Sequence, residues 1–423
     1  MLQVSYIRDN REQVLERLAV KNFKQPQLVD EIINLDNERR ILQMSSEELQ
    51  SRANAEAKKV GELMRSGKKD EAEAVKANTG AWKEEIRNLN DQLTDTEEKL
   101  QQKIVLLPNL PHSSVPKGLT PEENEVVLEN GEKPHLPGNA LPHWELATKY
   151  NLIEFELGVK ITGAGFPVYK GKGAKLQRAL IAYFLDEAEK AGYSEVMLPL
   201  MVNEASGFGT GQLPDKEGQM YFVGLDNLYL IPTAEVPITN LYRDVILKAD
   251  ELPVKNCGYT ACFRREAGSY GAHVRGLNRL HQFDKVEIVQ VVHPDESYKV
   301  LDQMSAHVQG LLRNLGLPYR VLRLCGGDMG FASALTYDME TWSAAQQRWL
   351  EVSSVSNFET FQTNRLKLRF RNAEGKTQLA HTLNGSALAL PRIVATLLEN
   401  NQKEKGIKIP EVLVPYTKFE WID

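Results

Sequence analysis

Two long series of residues, spaced alternately four and three positions apart, occupy the N-terminal part of the chain over residues 28–63 and 72–100. Apolar residues at this heptad spacing form the contact seam of a coiled coil. Three polar residues interrupt the first series, at Arg39, Ser46 and Glu56. Because the short polar segment 66–70 separates the two series, the pattern predicts two antiparallel helices of about 35 residues, each roughly 50 Å long.

Basic residues cluster near the predicted turn between these helices. Eight cations stand there against six carboxylates, and the cations are Lys58, Lys59, Arg65, Lys68, Lys69, Lys76, Lys83 and Arg87. Such a small excess is typical of a solvated coiled-coil face, although it also allows contact with an anionic polymer. Charge alone favours the solvated face.

The composition is that of an ordinary soluble protein. The 423 residues suffice for two or three domains, and the net charge of −6 gives no hint of a nucleic-acid partner. Apolar runs are shorter than the roughly 18 residues needed to span a membrane, and the N terminus does not resemble a secretion signal. Cys257, Cys262 and Cys325 are odd in number and lack C-x-x-C spacing. We therefore expect a cytoplasmic protein without disulfides, zinc or a membrane partner.

Proline and glycine are frequent after the helices, so that residues 106–143 read as a surface linker. Beyond it the sequence predicts an amphipathic helix over 176–191, a strand over 195–200, and then short strands that alternate with helices. This order favours an antiparallel α+β sheet over a doubly wound parallel one. No G-x-x-x-x-G-K-[ST] phosphate loop occurs, so any ATP site must be built in another way.

The stretch from Phe263 to Glu287 reads as two strands joined by a long, mobile, basic loop. Period-two alternation places Arg264 and Glu266 on one polar face of the first strand. A ligand that covers both side chains would explain this face, because an unpaired buried charge costs several kcal/mol. A cross-strand ion pair would explain it equally well.

Five segments, in the same order, resemble the seryl members of the class II aminoacyl-tRNA synthetases, of bacterial type. F-R-x-E, a Gly-rich loop and R-x-H-Q-F-x-K-V-E resemble motif 2 of that class, and the other segments resemble the serine-binding region, the Mg/ATP segment and motif 3. The segments are residues 210–214, 232–237, 259–289, 350–365 and 381–400. The helix and strand predicted over 175–200 resemble motif 1, although an ordinary helix-strand unit has the same pattern.

The resemblance implies a domain organisation. We expect an N-terminal tRNA-binding hairpin domain over residues 1–105, the linker over 106–143, and a class II catalytic domain over 144–423 built on an antiparallel β-sheet flanked by helices. In this family motif 1 forms the interface of a homodimer. The hairpin embraces the long variable arm of the tRNA, which implies phosphate contacts from Lys58, Lys59, Lys68, Lys69, Lys76 and Lys83.

The implied activity is that of a serine–tRNA ligase, which activates L-serine with ATP and transfers the seryl group to tRNA(Ser), with tRNA(Sec) as a further substrate. Arg264 is expected to bridge the serine carboxylate and the α-phosphate, and Arg392 to meet the γ-phosphate; these are the two expected catalytic residues. Glu266 and Phe283 are expected to hold and stack the adenine. The whole expected ATP set is Arg264, Arg265, Glu266, Arg279, Phe283, Glu351, Val352, Ser353, Ser354 and Arg392.

The resemblance also implies a serine pocket. Thr233 and Glu235 correspond to the pair on the ammonium side, and Glu287 and Ser386 to the groups that contact the hydroxyl. The whole expected serine set is Thr233, Ala234, Glu235, Arg264, Glu287, Asn384 and Ser386.

Mg²⁺ is expected to accompany ATP, with Glu351 and Ser354 as its protein ligands, because this ion prefers oxygen and keeps several waters. Motif 3 departs from its usual Gly-rich form at Ala387 and Pro391.

Two alternatives remain at this point. A class II ligase that charges a carrier protein would normally lack the N-terminal hairpin. A catalytically inactive relative that serves as a coiled-coil scaffold should have lost Arg264, Glu287 or Arg392, and all three are present.

Overall fold

In the computed structural model, which describes residues 1–136, 138–215, 218–266 and 275–423, the chain forms two compact units. Residues 2–19 and 23–108 make up the first, called here the hairpin unit. Residues 1, 20–22 and 109–423 make up the second, called here the sheet unit.

The hairpin unit is built on two long helices. Its helices are α1 Val4–Asp9, α2 Arg11–Val20, α3 Gln27–Arg65 and α4 Lys69–Ile104. The predicted seam is the less exposed side of α3 and α4, and its buried members are Leu28, Ile32, Ser46, Ala53, Ala72, Thr79, Ile86, Thr96 and Leu100. In the connecting turn Gly67 has φ +79°, a value that favours glycine. The predicted helical hairpin is confirmed.

Polar residues of the first series have partners inside the hairpin unit. Ser46 Oγ donates to Asn90 Oδ1 of the facing helix at 2.7 Å. Arg39 and Arg8 lie 2.8 and 2.7 Å from the two oxygens of Asp36, whose carboxylate is almost fully buried. These pairings compensate for the interruption of the apolar seam.

The strands of the sheet unit follow one another along most of its length. They are β1 Glu125–Asn130, β2 Ile153–Glu154, β3 Val168–Tyr169, β4 Ser194–Glu195, β5 Met201–Asn203, β6 Phe222–Val223, β7 Leu228–Leu230, β8 Ile246–Lys248, β9 Val254–Phe263, β10 Gln282–Val292, β11 Tyr319–Arg323, β12 Leu335–Ser343, β13 Arg348–Glu359, β14 Arg369–Arg371, β15 Thr377–Leu379, β16 His381–Ala389, β17 Gln402–Lys403, β18 Gly406–Lys408 and β19 Trp421–Ile422.

Eight of these strands, within the described residues, form the main sheet in the order β1-β11-β12-β13-β16-β10-β9-β4. Every pairing in it is antiparallel except that of β4 with β9. The predicted α+β class with an antiparallel sheet is confirmed.

The helices of the sheet unit cover this sheet. They are α5 His143–Lys149, α6 Phe155–Ile161, α7 Gly171–Lys190, α8 Glu204–Thr210, α9 Glu235–Asn240, α10 Ser297–Asn314, α11 Thr360–Leu366, α12 Leu390–Asn400 and α13 Val414–Thr417. The main core joins the apolar faces of α7, α10 and α12 to the sheet through residues such as Phe184, Leu312, Ile393 and Ile288.

The strand predicted over 195–200 is mostly wrong. Only Ser194–Glu195 pairs with β9, and Val196 adds one further bond to Cys257 O at 2.8 Å. Pro199 has no N–H to donate, so the ladder cannot continue through it. The amphipathic helix is present, and it begins earlier than predicted, at Gly171.

The segment interpreted as a linker contains a strand. β1 pairs with β11 at the edge of the main sheet, although all six of its residues are exposed. An exposed strand lacks the alternation of polar and apolar residues by which strands are recognised. The domain boundaries 1–105, 106–143 and 144–423 stay predictions.

The predicted basic loop between β9 and β10 falls largely on residues 267–274, which lie outside the described residues. In the part of the chain that the structure describes, no helix is both long and apolar enough to cross a membrane.

Candidate active site

A cavity of about 520 Å³ opens against the central strands of the main sheet. Its walls include every predicted ATP or serine residue except Ala234 and Arg265. The lining residues are Gln212, Gln219, Pro232, Thr233, Glu235, Arg264, Glu266, Leu277, Asn278, Arg279, Leu280, Phe283, Lys285, Glu287, Glu351, Val352, Ser353, Ser354, Ser356, Phe358, Asn384, Ser386, Ala389, Pro391 and Arg392.

Arg264 follows directly after β9 and is held from two sides. Its backbone N–H donates to His281 O at 2.9 Å, and its Nε donates to Pro232 O at 3.3 Å. The guanidinium carbon lies 5.2 Å from the centroid of the Phe283 ring. Among the described residues these contacts leave both Nη groups of Arg264 without a protein partner, so they are available to an anion.

The polar face of Arg264 and Glu266 has two explanations, one for each residue. Glu266 forms a salt bridge with Arg279, so the ion-pair interpretation applies to this carboxylate. Arg264 instead packs against an aromatic ring and keeps its charge toward the cavity. Arg265 points elsewhere, with its guanidinium 5.6 Å from the Tyr221 ring.

One face of β10 supplies a wall of the cavity. Alternation along the strand places Phe283, Lys285 and Glu287 on this face, whereas Val286 and Ile288 enter the core. Lys285 Nζ lies 2.6 Å from Glu287 Oε2, and both side chains are almost completely buried. The sequence analysis did not assign Lys285, although a lysine two residues before Glu287 in a buried strand is a usable signal.

Thr233 connects this pair to the start of α9. Its Oγ1 accepts from Lys285 Nζ at 2.8 Å and from the backbone N–H of Glu235 at 3.3 Å, and donates to Glu287 Oε2 at 3.2 Å. Ala234 is fully buried and contributes no surface to the cavity.

Glu235 is a buried carboxyl with one fixed oxygen. Gln362 Nε2 donates to its Oε1 at 2.6 Å, and Thr382 Oγ1 in turn donates to Gln362 Oε1 at 2.7 Å. Burial, and then the charge of Glu287, raise the pKa of Glu235 to about 7. A cationic ligand group at this point would offset the cost of its ionised form.

The neighbouring strand β16 brings the predicted motif 3 residues to the cavity. Ser386 stands opposite Glu287 in the β10–β16 register, and Asn384 stands opposite Ser356 in the β13–β16 register. Ser353 Oγ donates to the backbone oxygen of Ser386 at 2.6 Å, which ties the two strands together at this wall.

The predicted metal ligands Glu351 and Ser354 lie on β13 and offer oxygen donors only. Ser354 Oγ donates to Asp338 Oδ1 at 2.6 Å. Burial, and then the charge of Glu351, raise the pKa of Asp338 well above its usual range. Oxygen ligands suit a hard cation such as Mg²⁺, and the repulsion between neighbouring carboxylates would be relieved by its charge. No cluster of three or more His, Cys, Asp or Glu side chains with metal-binding geometry occurs among the described residues.

Arg392, in the first turn of α12, also borders the cavity. Its Nε donates to Asn278 O at 3.0 Å and its Nη1 to Glu351 O at 2.7 Å. Pro391 also lines the cavity, whereas Leu388 and Leu390 are fully buried.

A second residue of α12, Glu399, also supports the backbone that borders the cavity. Glu399 Oε1 lies 2.8 Å from His143 Nδ1, and His143 Nε2 accepts from the backbone N–H of Leu277 at 2.9 Å. An added Cβ on Gly276 would lie 2.3 Å from the His143 ring, so only glycine allows this approach. These residues are far apart in sequence, and no local pattern pointed to them.

The predicted tRNA-binding lysines belong to the hairpin unit, and all are exposed. Lys59 pairs with Glu56, and Lys68 lies 3.0 Å from Glu71. The others have no ion pair with any described residue; they are Lys58, Lys69, Lys76 and Lys83.

Two family models match the chain. The model of the seryl-tRNA synthetase N-terminal domain matches residues 1–111, and that of the tRNA synthetase class II core domain (G, H, P, S and T) matches residues 223–401. The serine–tRNA ligase of Salinibacter ruber is 52% identical over 421 residues, which cover 99% of this chain and 98% of that relative. The chain belongs to the seryl-tRNA synthetase family.

Other members of the family agree. The serine–tRNA ligase of Akkermansia muciniphila is 44% identical, with 98% of this chain and 97% of the relative covered. A crystal structure of seryl-tRNA synthetase from Pyrococcus horikoshii complexed with ATP superimposes with a TM-score of 0.94 at 31% identity, covering 100% of this chain and 99% of that one. The predicted membership in this ligase family is confirmed.

Proposed function

We propose that the cavity joins L-serine to ATP and that the enzyme then transfers the seryl group to the 3′ end of tRNA(Ser). The observation that carries this proposal is the meeting, in one cavity, of a guanidinium whose Nη groups have no partner among the described residues and a buried cluster of Thr233, Lys285 and Glu287. The first can hold two anions together, and the second suits a small polar amino acid.

In the first step a carboxylate oxygen of serine attacks the α-phosphorus of ATP. A new P–O bond forms, the bond to the bridging oxygen breaks, and pyrophosphate leaves with that electron pair. Arg264 spans the carboxylate and the α-phosphate, because its planar fork binds both while remaining charged. It also stabilises the negative charge that develops between them.

The remaining ATP contacts are those that the family resemblance implies. Phe283 and Glu266 hold the adenine, and Arg392 meets the γ-phosphate. Arg279 is paired with Glu266 and helps to set its position. Arg265 has its side chain on Tyr221, outside the lining, so its contribution to ATP binding is limited to its backbone.

On the serine side, ionised Glu235 faces the ammonium group together with Thr233, and Glu287 and Ser386 face the hydroxyl. Asn384 lies beside them on β16. Ala234 acts through the backbone, because its side chain is buried. After activation, the terminal ribose hydroxyl of the tRNA attacks the seryl carbonyl carbon, and AMP leaves.

Mg²⁺ would be held by Glu351 and Ser354, and when bound it would neutralise phosphate charge. On the same wall, the backbone oxygen of Glu351 accepts a hydrogen bond from Arg392. This bond positions the guanidinium beside the triphosphate site.

Exposed lysines of the hairpin unit contact the phosphates of the long variable arm. Charge near the tip suffices for this, because such contacts act within a Debye length of about 8 to 10 Å. A tRNA(Sec) with a similar arm is proposed as a further substrate. The hairpin domain would then cover residues 1–105 and the catalytic domain 144–423.

A cytoplasmic homodimer formed through the motif 1 region completes the proposal. The segment after β4 exposes apolar side chains that a partner would cover, and Met197 alone is 94% exposed. Leu200 and Met201 extend this surface. Sedimentation analysis of the parent and of Met197→Glu tests the dimer.

The experiment that tests the function is the charging of purified tRNA(Ser) with radiolabelled serine in the presence of ATP and Mg²⁺. Acid-precipitable seryl-tRNA is the expected product, and a tRNA without a long variable arm should be a poor substrate. Transfer of serine to a carrier protein instead would favour the carrier-protein ligase. Absence of any serine adduct would favour the inactive scaffold.

A further inference from the structure

The Thr233–Lys285–Glu287 cluster leaves two polar positions open, one donor and one acceptor. Among the described residues, Glu287 Oε2 is taken by Lys285 and Thr233, whereas Oε1 has no partner. The Lys285 ammonium has three N–H groups, and its partners within residues 1–136, 138–215, 218–266 and 275–423 are Thr233 Oγ1 and Glu287 Oε2. The Thr233 hydroxyl is saturated, since it donates once and accepts twice.

A ligand hydroxyl is the small group that fits this pair. It can accept from the remaining N–H of Lys285 and donate to Oε1 of Glu287 at the same time. A methyl group can do neither, and both buried polar groups would then stay unpaired.

The charge of Lys285 also determines what Glu287 can do. Lys285 lies 2.6 Å from a carboxylate that is 2% exposed, and a buried carboxylate without such a cation is strongly disfavoured. The ammonium holds Oε2 of Glu287 in place, so Oε1 is the oxygen that meets a ligand group. The other charged or titratable groups nearby are Glu235, Arg264 and Cys262.

We propose that Lys285 is a specificity-determining residue, which selects the serine hydroxyl together with Glu287. This inference rests on the proposed function. Lys285 was not among the residues expected from motif resemblance, and its role follows from the burial and saturation of its neighbours. The ATP contacts lie on other side chains, so the effect of Lys285 should be confined to the amino acid.

The test is serine-dependent exchange of pyrophosphate into ATP by the parent and by Lys285→Met, which keeps the length of the side chain and removes its charge. We expect the KM for serine to rise at least about 30-fold, as for loss of one member of a buried charge pair. The KM for ATP should stay within about threefold. Lys403→Met removes an exposed strand lysine and should match the parent.

A double-mutant cycle with Glu287→Gln keeps the test decisive if Lys285→Met does not fold. The Lys285→Met/Glu287→Gln protein loses both members of the buried charge pair together, so it should fold and keep the parental KM for ATP. Its KM for serine should still rise at least about 30-fold, yet by less than the product of the two single effects, because the two sites are coupled.

The proposal is overturned if Lys285→Met keeps the parental KM for serine, if the KM values for serine and ATP rise equally, or if the double variant binds serine as the parent does. Failure of the proposed function is a separate result. In that case the parent itself shows no serine-dependent exchange.

Discussion

His143 Nε2 accepts a hydrogen bond from the backbone N–H of Leu277 at 2.9 Å. Because Nε2 is the acceptor, the ring proton is on Nδ1, where it faces Glu399 Oε1 at 2.8 Å. Both side chains are fully buried. A residue of α5 and a residue of α12 thus hold the backbone that borders the cavity between Leu277 and Arg279.

Replacing His143 by leucine should weaken ATP binding more than serine binding. Leu277 would lose its acceptor, and a buried unpaired N–H costs about 1–3 kcal/mol, or about 5- to 150-fold. We expect the KM for ATP to rise within this range and the KM for serine to change less than threefold. His143→Gln, whose amide supplies both an acceptor and a donor, should recover most of the loss. A folded His143→Leu protein with parental KM values would contradict this role.

The hairpin and the site differ in how far the sequence could predict them. A heptad seam is local information, since positions three and four residues apart determine which side of each helix is buried. Motif resemblance likewise assigned Arg264, Glu287 and Arg392 to one site, and in the structure all three line one cavity. The roles of these residues stay predictions.

Contacts between distant segments could not be predicted. His143 and Glu399 are 256 positions apart, and each alone reads as an ordinary core or surface residue. The strand β1 was missed because exposure on both faces removes its periodic pattern. The strand expected over 195–200 stops short, because Pro199 has no N–H to donate to the ladder.

Serine binding should tighten as pH rises toward neutrality. Burial and the charge of Glu287 raise the pKa of Glu235 to about 7, so below that pH the carboxyl is largely neutral and attracts an ammonium weakly. We expect the KM for serine to fall by up to about tenfold per pH unit below about 7 and to level off above it. Glu235→Gln should have a high KM for serine at every pH. A parental KM that is constant from pH 5.5 to 8 would contradict the assignment.

The same carboxyl should affect stability with the opposite sign. Its folded pKa is raised, so its contribution to stability is complete below about pH 4.5 and is lost as pH rises through about 7. Glu235→Gln is neutral at every pH. Its stability relative to the parent should therefore increase by on the order of 3 kcal/mol when the pH is raised from 5 to 8. Thermal melting at both pH values measures this, with the exposed Glu374→Gln as the control. An equal difference in Tm at both pH values would speak against it.

Neutralising lysines of the hairpin should weaken tRNA binding and leave activation unchanged. We expect that Lys58, Lys69, Lys76 and Lys83, changed together to glutamine, lower the slope of log affinity against log salt by somewhat under one unit per lost phosphate contact. Lys59→Gln/Lys68→Gln should lower the slope by less per residue, because these two lysines are already paired with glutamates. If the salt slope of the fourfold variant equals that of the parent, the hairpin surface is only a solvated face.

Arg264 should be required for chemistry more than for folding. Its side chain is half-buried, with one hydrogen bond and a ring contact. Arg264→Ala should melt close to the parent and lose about 10²- to 10³-fold in the rate of adenylate formation, which corresponds to about 2.7–4 kcal/mol. Arg264→Lys should recover little, since an ammonium cannot bridge two anions in a planar fork.

The exchange of labelled pyrophosphate into ATP, measured with serine, alanine or threonine as the only amino acid, tests the central claim most directly. We predict rapid exchange with serine by the parent and at least about 10³-fold slower exchange with alanine, because a site built around a hydroxyl leaves its polar groups unpaired with alanine. Exchange that does not depend on serine, or that proceeds equally well with alanine, would contradict the account.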